Sequence, residues 1–294
     1  MRNEPVYVII LNWNNWKDTI ECVESCLKLT YSNFRILIVD NGSTDNSESI
    51  LRRRFPGMEC IQTGSNLGFA GGNNVGICHA LEKGADYVWL LNNDTIIDPD
   101  SLSELIRAAK RDERVGIVGS KIYYYDEPNK IWFAGGIWDK SRSFTTHRGM
   151  GEEDAGQFDE VCAVGFITGC SLLAKASMIR EIGTMSEDYF LYWEDVDWNA
   201  RAARHNWKIL FVPGSRVWHK VSSSITDRSR LQSYYFMRGG LLFFQRHAPR
   251  QLVIFLLRVM SFAVSRYRAG QSAVVQGYLK GTGDFLLRRF GRVS

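Results

Sequence analysis

The chain has 294 residues, 45% of them hydrophobic and 23% charged, a composition that excludes disordered, collagenous and coiled-coil proteins. Its net charge of +4 hides an asymmetry, because from Arg230 onward 11 basic residues face one acid, Asp284, whereas residues 1–229 are net acidic. So basic a tail points to an anionic partner, a membrane or another polyanion. Cys22, Cys26, Cys60, Cys78, Cys162 and Cys170 form no CxxC pair, and the opening MRNEPVYVIILNW has no leader pattern, so a cytosolic protein with reduced thiols is expected.

Val6 to Leu11 is a continuous apolar run of the kind that forms a strand buried on both faces. In the following WKDTIECVESCLKL, Ile20, Val23 and Leu27 share one helical face. A second buried strand, Arg35 to Val39, ends in DNGSTD, after which Asp45 and Glu48 have the spacing of a capping box opening a helix from Asn46 to Phe55. A helix near Asn73 to Lys83 closes at Gly84 and precedes a strand, Tyr87 to Leu91. Asp98 and Pro99 mark the start of a helix to Arg111, and Val115 to Tyr125 is strand-like. Repeated βα units predict an α/β, doubly wound, mostly parallel sheet whose ligands bind at the strands' carboxyl ends.

Residues 126–160 lack a sustained period and suggest a mobile loop region with short strands. A strand-like stretch from Val161 to Ala174, a short helix ending at Gly183, a helix through Arg204 and a strand from Lys208 to Val212 closed by Pro213 complete this half. The expected organisation is a catalytic domain over 1–229, with a nucleotide-binding half over about 1–125 and an acceptor-binding half over about 126–229, then a basic amphipathic helical tail over 230–294.

The chemically loaded segments lie just past strands. Asp40 could accept the imino N–H of a pyrimidine base with Asn12 nearby, or serve only as a turn residue in DNGSTD. The segment GSNLGFAGGNN, with Asn66, Gly68 and Gly71, could approach a diphosphate or a sugar, or form a plain loop-to-helix turn; it is not the dinucleotide fingerprint. Asp94, at the end of LLNND, suits a hard divalent cation, Mg²⁺ or Mn²⁺. Its bland alternative, a helix cap, is better served by Asp98. Trp193-Glu194-Asp195-Val196-Asp197-Trp198 crowds three carboxylates between aromatics, an arrangement that raises a carboxyl pKa toward general-base duty, or that decorates a helix N-terminus. His219 could be a ligand or a satisfied structural histidine.

In order, VDNGSTDNS, NLGFAGGNN, LLNNDT, YFLYWEDVDWNARA and the later Trp218-His219 resemble the inverting family 2 glycosyltransferases, and among them the rhamnosyltransferases of bacterial surface polysaccharide assembly. The resemblance spans about residues 5 to 225. It implies a GT-A fold (Rossmann-like, a mostly parallel central sheet flanked by helices) with a C-terminal helical extension. It further implies that Asp40 contacts the base, that Asp94 is the metal-binding acid of the DxD motif with Asn93 beside it, that Asp195 is the catalytic base, and that His219 is a second metal or diphosphate ligand. Glu194, Asp197 and Trp193 flank that base, and Asn66 and its glycines resemble the segment near the donor sugar. The first acid of DxD is Asn92 here.

The expected reaction is metal-dependent inverting transfer of a sugar, with rhamnose favoured, from a dTDP- or UDP-linked donor to a saccharide or a polyprenyl-diphosphate-linked acceptor. Alternatives are a nucleotidyltransferase and a non-catalytic membrane-surface scaffold. Arg250 to Val264 is too short and too interrupted by Arg258 to span a bilayer. With Phe243, Phe244, Phe255, Phe262 and Tyr267 it fits an interfacial helix pair on an anionic membrane, or a packed appendage or oligomer contact. Nucleic acid is not an expected partner, and the expected location is the inner face of the cell membrane.

Overall fold

The computed structural model describes residues 3–139, 144–221 and 230–292, and the boundary expected at residue 229 lies outside them. The continuous apolar runs form the centre of the sheet: β1 (Val6–Asn12), β2 (Phe34–Asp40), β4 (Tyr87–Asn92) and β6 (Val115–Tyr124). With β3 (Glu59–Gln62), β10 (Cys162–Ala163), β11 (Ser171–Lys175) and β12 (Lys208–His219) they give the order β10-β12-β6-β11-β4-β1-β2-β3. β1, β2, β3 and β4 pair in parallel, as do β6 and β12, while β11 runs antiparallel between β4 and β6. The expected α/β class, with a mostly parallel sheet flanked by helices, is therefore present.

Helices α1 (Trp16–Cys26), α2 (Ser47–Arg54), α3 (Gly68–Glu82) and α4 (Ser101–Ala109) connect these strands. The capping box does not form: Asp45 accepts from the Ser47 N–H, but Glu48 turns away to Arg52 and Gln62. The α3 helix starts at Gly68 rather than Asn73, because most of its glycines and asparagines are buried against the sheet and packing overrides their poor propensity. Pro99 precedes the α4 helix instead of opening it, and Asp98 braces the turn by accepting from the Asp100 N–H.

Pro213 does not close the last strand. β12 continues to His219 through an irregularity between Val212 and Arg216, where the missing proline N–H requires no ladder partner. Its far end pairs antiparallel with β5 (Thr95–Ile97), setting His219 opposite Thr95. Within 126–160 the short strands are β7 (Ile131–Phe133), β8 (Gly136–Asp139) and β9 (Phe144–His147). From Val161 to Ala174 only the two ends are strand.

Beyond α5 (Ala176–Ile182) and α6 (Glu194–Arg204), the tail forms α7 (Arg230–His247), a 3-10 turn at Pro249–Gln251, α8 (Leu252–Arg268) and α9 (Ser272–Leu286). The α7 helix belongs to the same core as the sheet, with Phe243 and Phe244 fully buried and Phe255 nearly so. These three phenylalanines thus face inward and cannot contact a bilayer, whereas Phe262 and Tyr267 are exposed as expected. Among the described residues no helix is long and apolar enough to cross a membrane.

Candidate active site

Asn12, Asp40, Asn93 and Asp94 lie at the carboxyl ends of the parallel strands β1, β2 and β4. Asp40, the last residue of β2, is fully buried. Its Oδ2 accepts from Asn12 Nδ2 (2.7 Å), and its Oδ1 accepts from the Ser43 N–H (2.9 Å) and from Gln62 Nε2 (2.7 Å). The chain of polar contacts continues sideways: Thr19 Oγ1 lies 2.8 Å from Asn12 Oδ1 and accepts from Asn93 Nδ2 at 2.9 Å. Asn12, Asp40 and Asn93 are thus brought together through Thr19, a residue no sequence motif marks.

Asn66 and Gly68 stand at the start of α3. Asn66 Oδ1 accepts from the Gly68 N–H and from Asn41 Nδ2. Gly68 has φ +78°, and a Cβ there would lie 2.3 Å from the Phe190 carbonyl oxygen, so only glycine fits. The next N–H, of Phe69, donates to that same carbonyl (2.8 Å), which ties the glycine segment to the aromatic-acidic segment. Gly71 is buried one turn further along α3, with the Glu187 carboxyl beside it.

Asp94 meets His219, which β12 delivers from the other side of the sheet. Asp94 Oδ1 is 3.1 Å from His219 Nε2, and beyond that pairing neither that oxygen nor His219 Nδ1 has a hydrogen-bond partner among the described residues. Trp132 packs edge-on against the His219 ring at 4.8 Å and against His147 at 4.8 Å, so the imidazole has a fixed wall. Burial disfavours the imidazolium, but Cys170 and Asp94 beside the ring outweigh it and raise the His219 pKa to about 10. On the far side of Trp132, burial lowers the His147 pKa to about 4.

The implied divalent cation fits this pair. Adjacent ligands of an octahedral ion at 2.0–2.1 Å lie about 3 Å apart, which is the spacing found, and a bound cation would replace the proton that His219 now shares with the hard Asp94 oxygen. No group of three or more His, Cys, Asp or Glu is assembled among the described residues. The donor set is therefore that of a site completed by substrate oxygens and water rather than a protein-only cage.

Asp195, in the first turn of α6, is half-buried. The Gly169 N–H donates to its Oδ2 (2.8 Å) and the Val196 N–H to its Oδ1 (2.7 Å). Burial raises its pKa above the ordinary aspartate range, against the opposing pull of these N–H groups and the Thr168 hydroxyl. Its neighbour Glu194 is almost wholly enclosed, with Oε2 unpartnered among the described residues, and burial together with the Asp195 charge pushes its pKa up much further.

The two residues before the α6 helix, Tyr192 (φ +68°) and Trp193 (φ +75°), are both left-handed, a strained conformation for bulky side chains. Trp193 holds it by burying its indole against Phe243 and Phe244 of α7 and donating Nε1–H to the Phe236 carbonyl (3.0 Å).

Asp197 separates from the other two acids. It is fully buried and accepts from Arg201 Nε (2.9 Å), Tyr189 Oη (3.2 Å) and His247 Nε2 (2.7 Å), the last on α7. It clamps α6 to the tail and faces no cleft. The segment Thr168-Gly169-Cys170 has the opposite character: Gly169 feeds Asp195, the Cys170 carbonyl accepts from the Asn92 N–H, and the Cys170 thiol lies against His219. Sequence reasoning missed this bridge, whose only signal is a small flexible triplet ahead of a buried strand. All six cysteines are free thiols.

Comparison with known proteins bears on the family and the fold. The profile of Glycosyl transferase family 2 matches residues 7–183. An N-acetylglucosaminyl-diphospho-decaprenol L-rhamnosyltransferase of Mycobacterium tuberculosis is 28% identical over 211 residues, covering 64% of this chain and 67% of the relative. A dTDP-rhamnosyl transferase, RfbF, of Shigella flexneri is 22% identical over 274 residues, covering 86% of this chain and 84% of the relative.

Among solved structures, GalNAc-T7 with UDP, GalNAc and Mn²⁺ superposes with a TM-score of 0.65 at 15% identity, over 83% of this chain but only 48% of its own. The mannosyltransferase PcManGT of Pyrobaculum calidifontis, with GDP-Man and Mn²⁺, gives 0.63 at 15% identity over 98% of this chain and 89% of its own. At such identities these two likenesses bear on the fold, which is the GT-A arrangement.

Proposed function

The chain belongs to glycosyl transferase family 2, and from that premise we propose that it moves a sugar from a pyrimidine nucleotide-sugar to an acceptor hydroxyl in one inverting displacement. A dTDP-rhamnose donor is supported by the likeness to the dTDP-rhamnosyl transferase, and a saccharide on a polyprenyl diphosphate as acceptor, in surface polysaccharide synthesis, by the likeness to the N-acetylglucosaminyl-diphospho-decaprenol L-rhamnosyltransferase. The observation that carries the reading is the Thr168–Cys170 bridge, which joins the raised carboxyl of Asp195 to the Asp94 and His219 pair.

Asp195 takes the proton of the acceptor hydroxyl as that oxygen forms its bond to the anomeric carbon, and the bond from that carbon to the diphosphate oxygen breaks on the opposite face. The two N–H donors on Asp195 fix its orientation, while burial keeps its basicity above that of a free aspartate. When bound at Asp94 and His219, Mg²⁺ or Mn²⁺ supplies charge neutralisation for the departing nucleoside diphosphate. The floor formed by Asn12, Asp40 and Asn93 supports the base and ribose, and Asn66 with the opening of α3 lines the approach of the donor sugar.

The test is release of nucleoside diphosphate from a panel of dTDP- and UDP-sugars with Mg²⁺ or Mn²⁺. Metal-dependent turnover of one donor, lost in Asp195→Asn, is expected and would identify the sugar. Absence of both turnover and nucleotide binding across the panel would overturn the reading.

A further inference from the structure

The α8 helix is half anchored and half bare. Phe255, its one buried residue, seats over Gly240 of α7, where a Cβ would come within 2.4 Å of the ring, and it packs on Phe244 at 4.6 Å and Trp193 at 5.9 Å. On the opposite face Val253, Leu257, Met260 and Val264 are 64%, 62%, 58% and 52% exposed. Their spacing puts them in one stripe, roughly 16 Å long at 1.5 Å per residue. Exposed Arg268 lies on the same face one turn further on, exposed Arg258 flanks it, and exposed Arg250 stands just before the helix.

Charge decides the occupant. The only acid from Arg230 to the end, Asp284, is held by the Tyr234 hydroxyl and so leaves these arginines without a carboxylate from the tail. A second copy packed stripe to stripe would bring arginine against arginine about a twofold axis, with no acid from either tail between them. Anionic headgroups over an acyl layer match both features at once, an apolar stripe at the level of the chains and cations at the level of the phosphates.

We propose that this face of α8 is a docking surface for an anionic bilayer, with the helix lying in the interface plane. The inference goes beyond the transfer chemistry, since no residue of the stripe touches the active site.

The experiment is flotation of the full chain with vesicles of phosphatidylcholine alone and of an equal mixture with phosphatidylglycerol, alongside sedimentation to read oligomeric state. The expected result is preferential binding to the mixed vesicles, on the order of a hundredfold for three interfacial arginines, reversed by high salt. Leu257→Glu with Met260→Glu should abolish it while thermal midpoint and donor hydrolysis stay at wild-type values. Arg258→Gln with Arg268→Gln should weaken it without altering binding to neutral vesicles. Equal binding to both vesicle types, or flotation unchanged by Leu257→Glu with Met260→Glu, overturns the proposal. A dimer that dissociates in that variant, without vesicle binding by the wild type, assigns the face to a second copy instead.

Discussion

Asp40 ends β2 and Asp94 lies just past β4, strands that flank β1 in one sheet, yet their surroundings are opposite. Asp40 has no solvent exposure and receives three hydrogen bonds shared over both oxygens. The side chain of Asp94 is 30% exposed, and its inner oxygen faces the His219 imidazole with no other polar partner among the described residues. A carboxylate whose lone pairs are occupied by its own fold is a fixed part of a floor. One left short of partners has capacity for a ligand that the fold does not supply. Asp195 is intermediate in character, oriented by two N–H donors but burdened by burial.

Each member of the comparison can be broken separately. The largest effect is expected at Asp195, where Asp195→Asn should lower sugar transfer by about 10²–10⁴-fold with donor affinity nearly unchanged. Steady-state transfer measured beside nucleotide binding checks this, and a loss of both in proportion would make Asp195 a positioning residue instead. Next comes Asp94→Ala, for which the gain in nucleoside diphosphate affinity on adding Mn²⁺, read by calorimetry, should shrink by roughly tenfold or more. An unchanged gain would remove Asp94 from the metal site.

Asp40→Ala should act on stability, since Asn12, the Ser43 N–H and Gln62 all lose their acceptor. A cost of about 2–3 kcal/mol is expected, visible in denaturant midpoints, against a much smaller change for Asp94→Ala. Equal costs would erase the distinction between floor and working group.

The smallest effects are those of pH. Because the Asp195 pKa is raised, its active, unprotonated form should fail as pH drops through that raised value, so the acid limb of kcat/KM should lie above the ordinary aspartate range. Asp197 has the opposite sign. Burial would raise its pKa, but His247 and Arg201 hold it below the unfolded value. Its contribution to stability is therefore full above the unfolded pKa and lost as pH falls through the folded one. Thermal midpoints against pH for wild type and Asp197→Asn should converge at the acid end, and parallel curves would refute the assignment.

The parts of this molecule legible in its sequence are those whose cause is local. The β1, β2, β4 and β6 strands are apolar runs because both of their faces are covered, and the acids beyond them fall at the binding edge by topology alone. The β3 strand escaped because Glu59–Gln62 is a half-buried edge strand without such a run. The early start of α3 escaped because glycine and asparagine favour loops until a sheet packs against them. Within the site, Asp195 and His219 stood out by residue type and context. Thr19, Ser43, Gln62 and Thr168 did not, because a small polar residue acquires its role only from what the fold sets beside it. The tail separated along the same line: its charge was readable from composition, whereas the inward turn of Phe243, Phe244 and Phe255 depends on the Trp193 indole that α7 receives.

The irregularity in β12 reaches beyond its own strand. Val212 faces Ser120 and Arg216 faces Lys121, so Pro213, Gly214 and Ser215 have no counterpart on β6. Side chains on a strand alternate faces with every residue, and the number of unmatched residues therefore sets the parity of everything that follows. Loss of one residue at this point would turn His219 to the other face of the sheet while Asp94 kept its place, and both would still be present in the sequence. Two homologous chains with the same aspartate and the same histidine can thus differ in metal response by a single insertion or deletion some residues away, a difference that alignment of the motifs alone would never reveal.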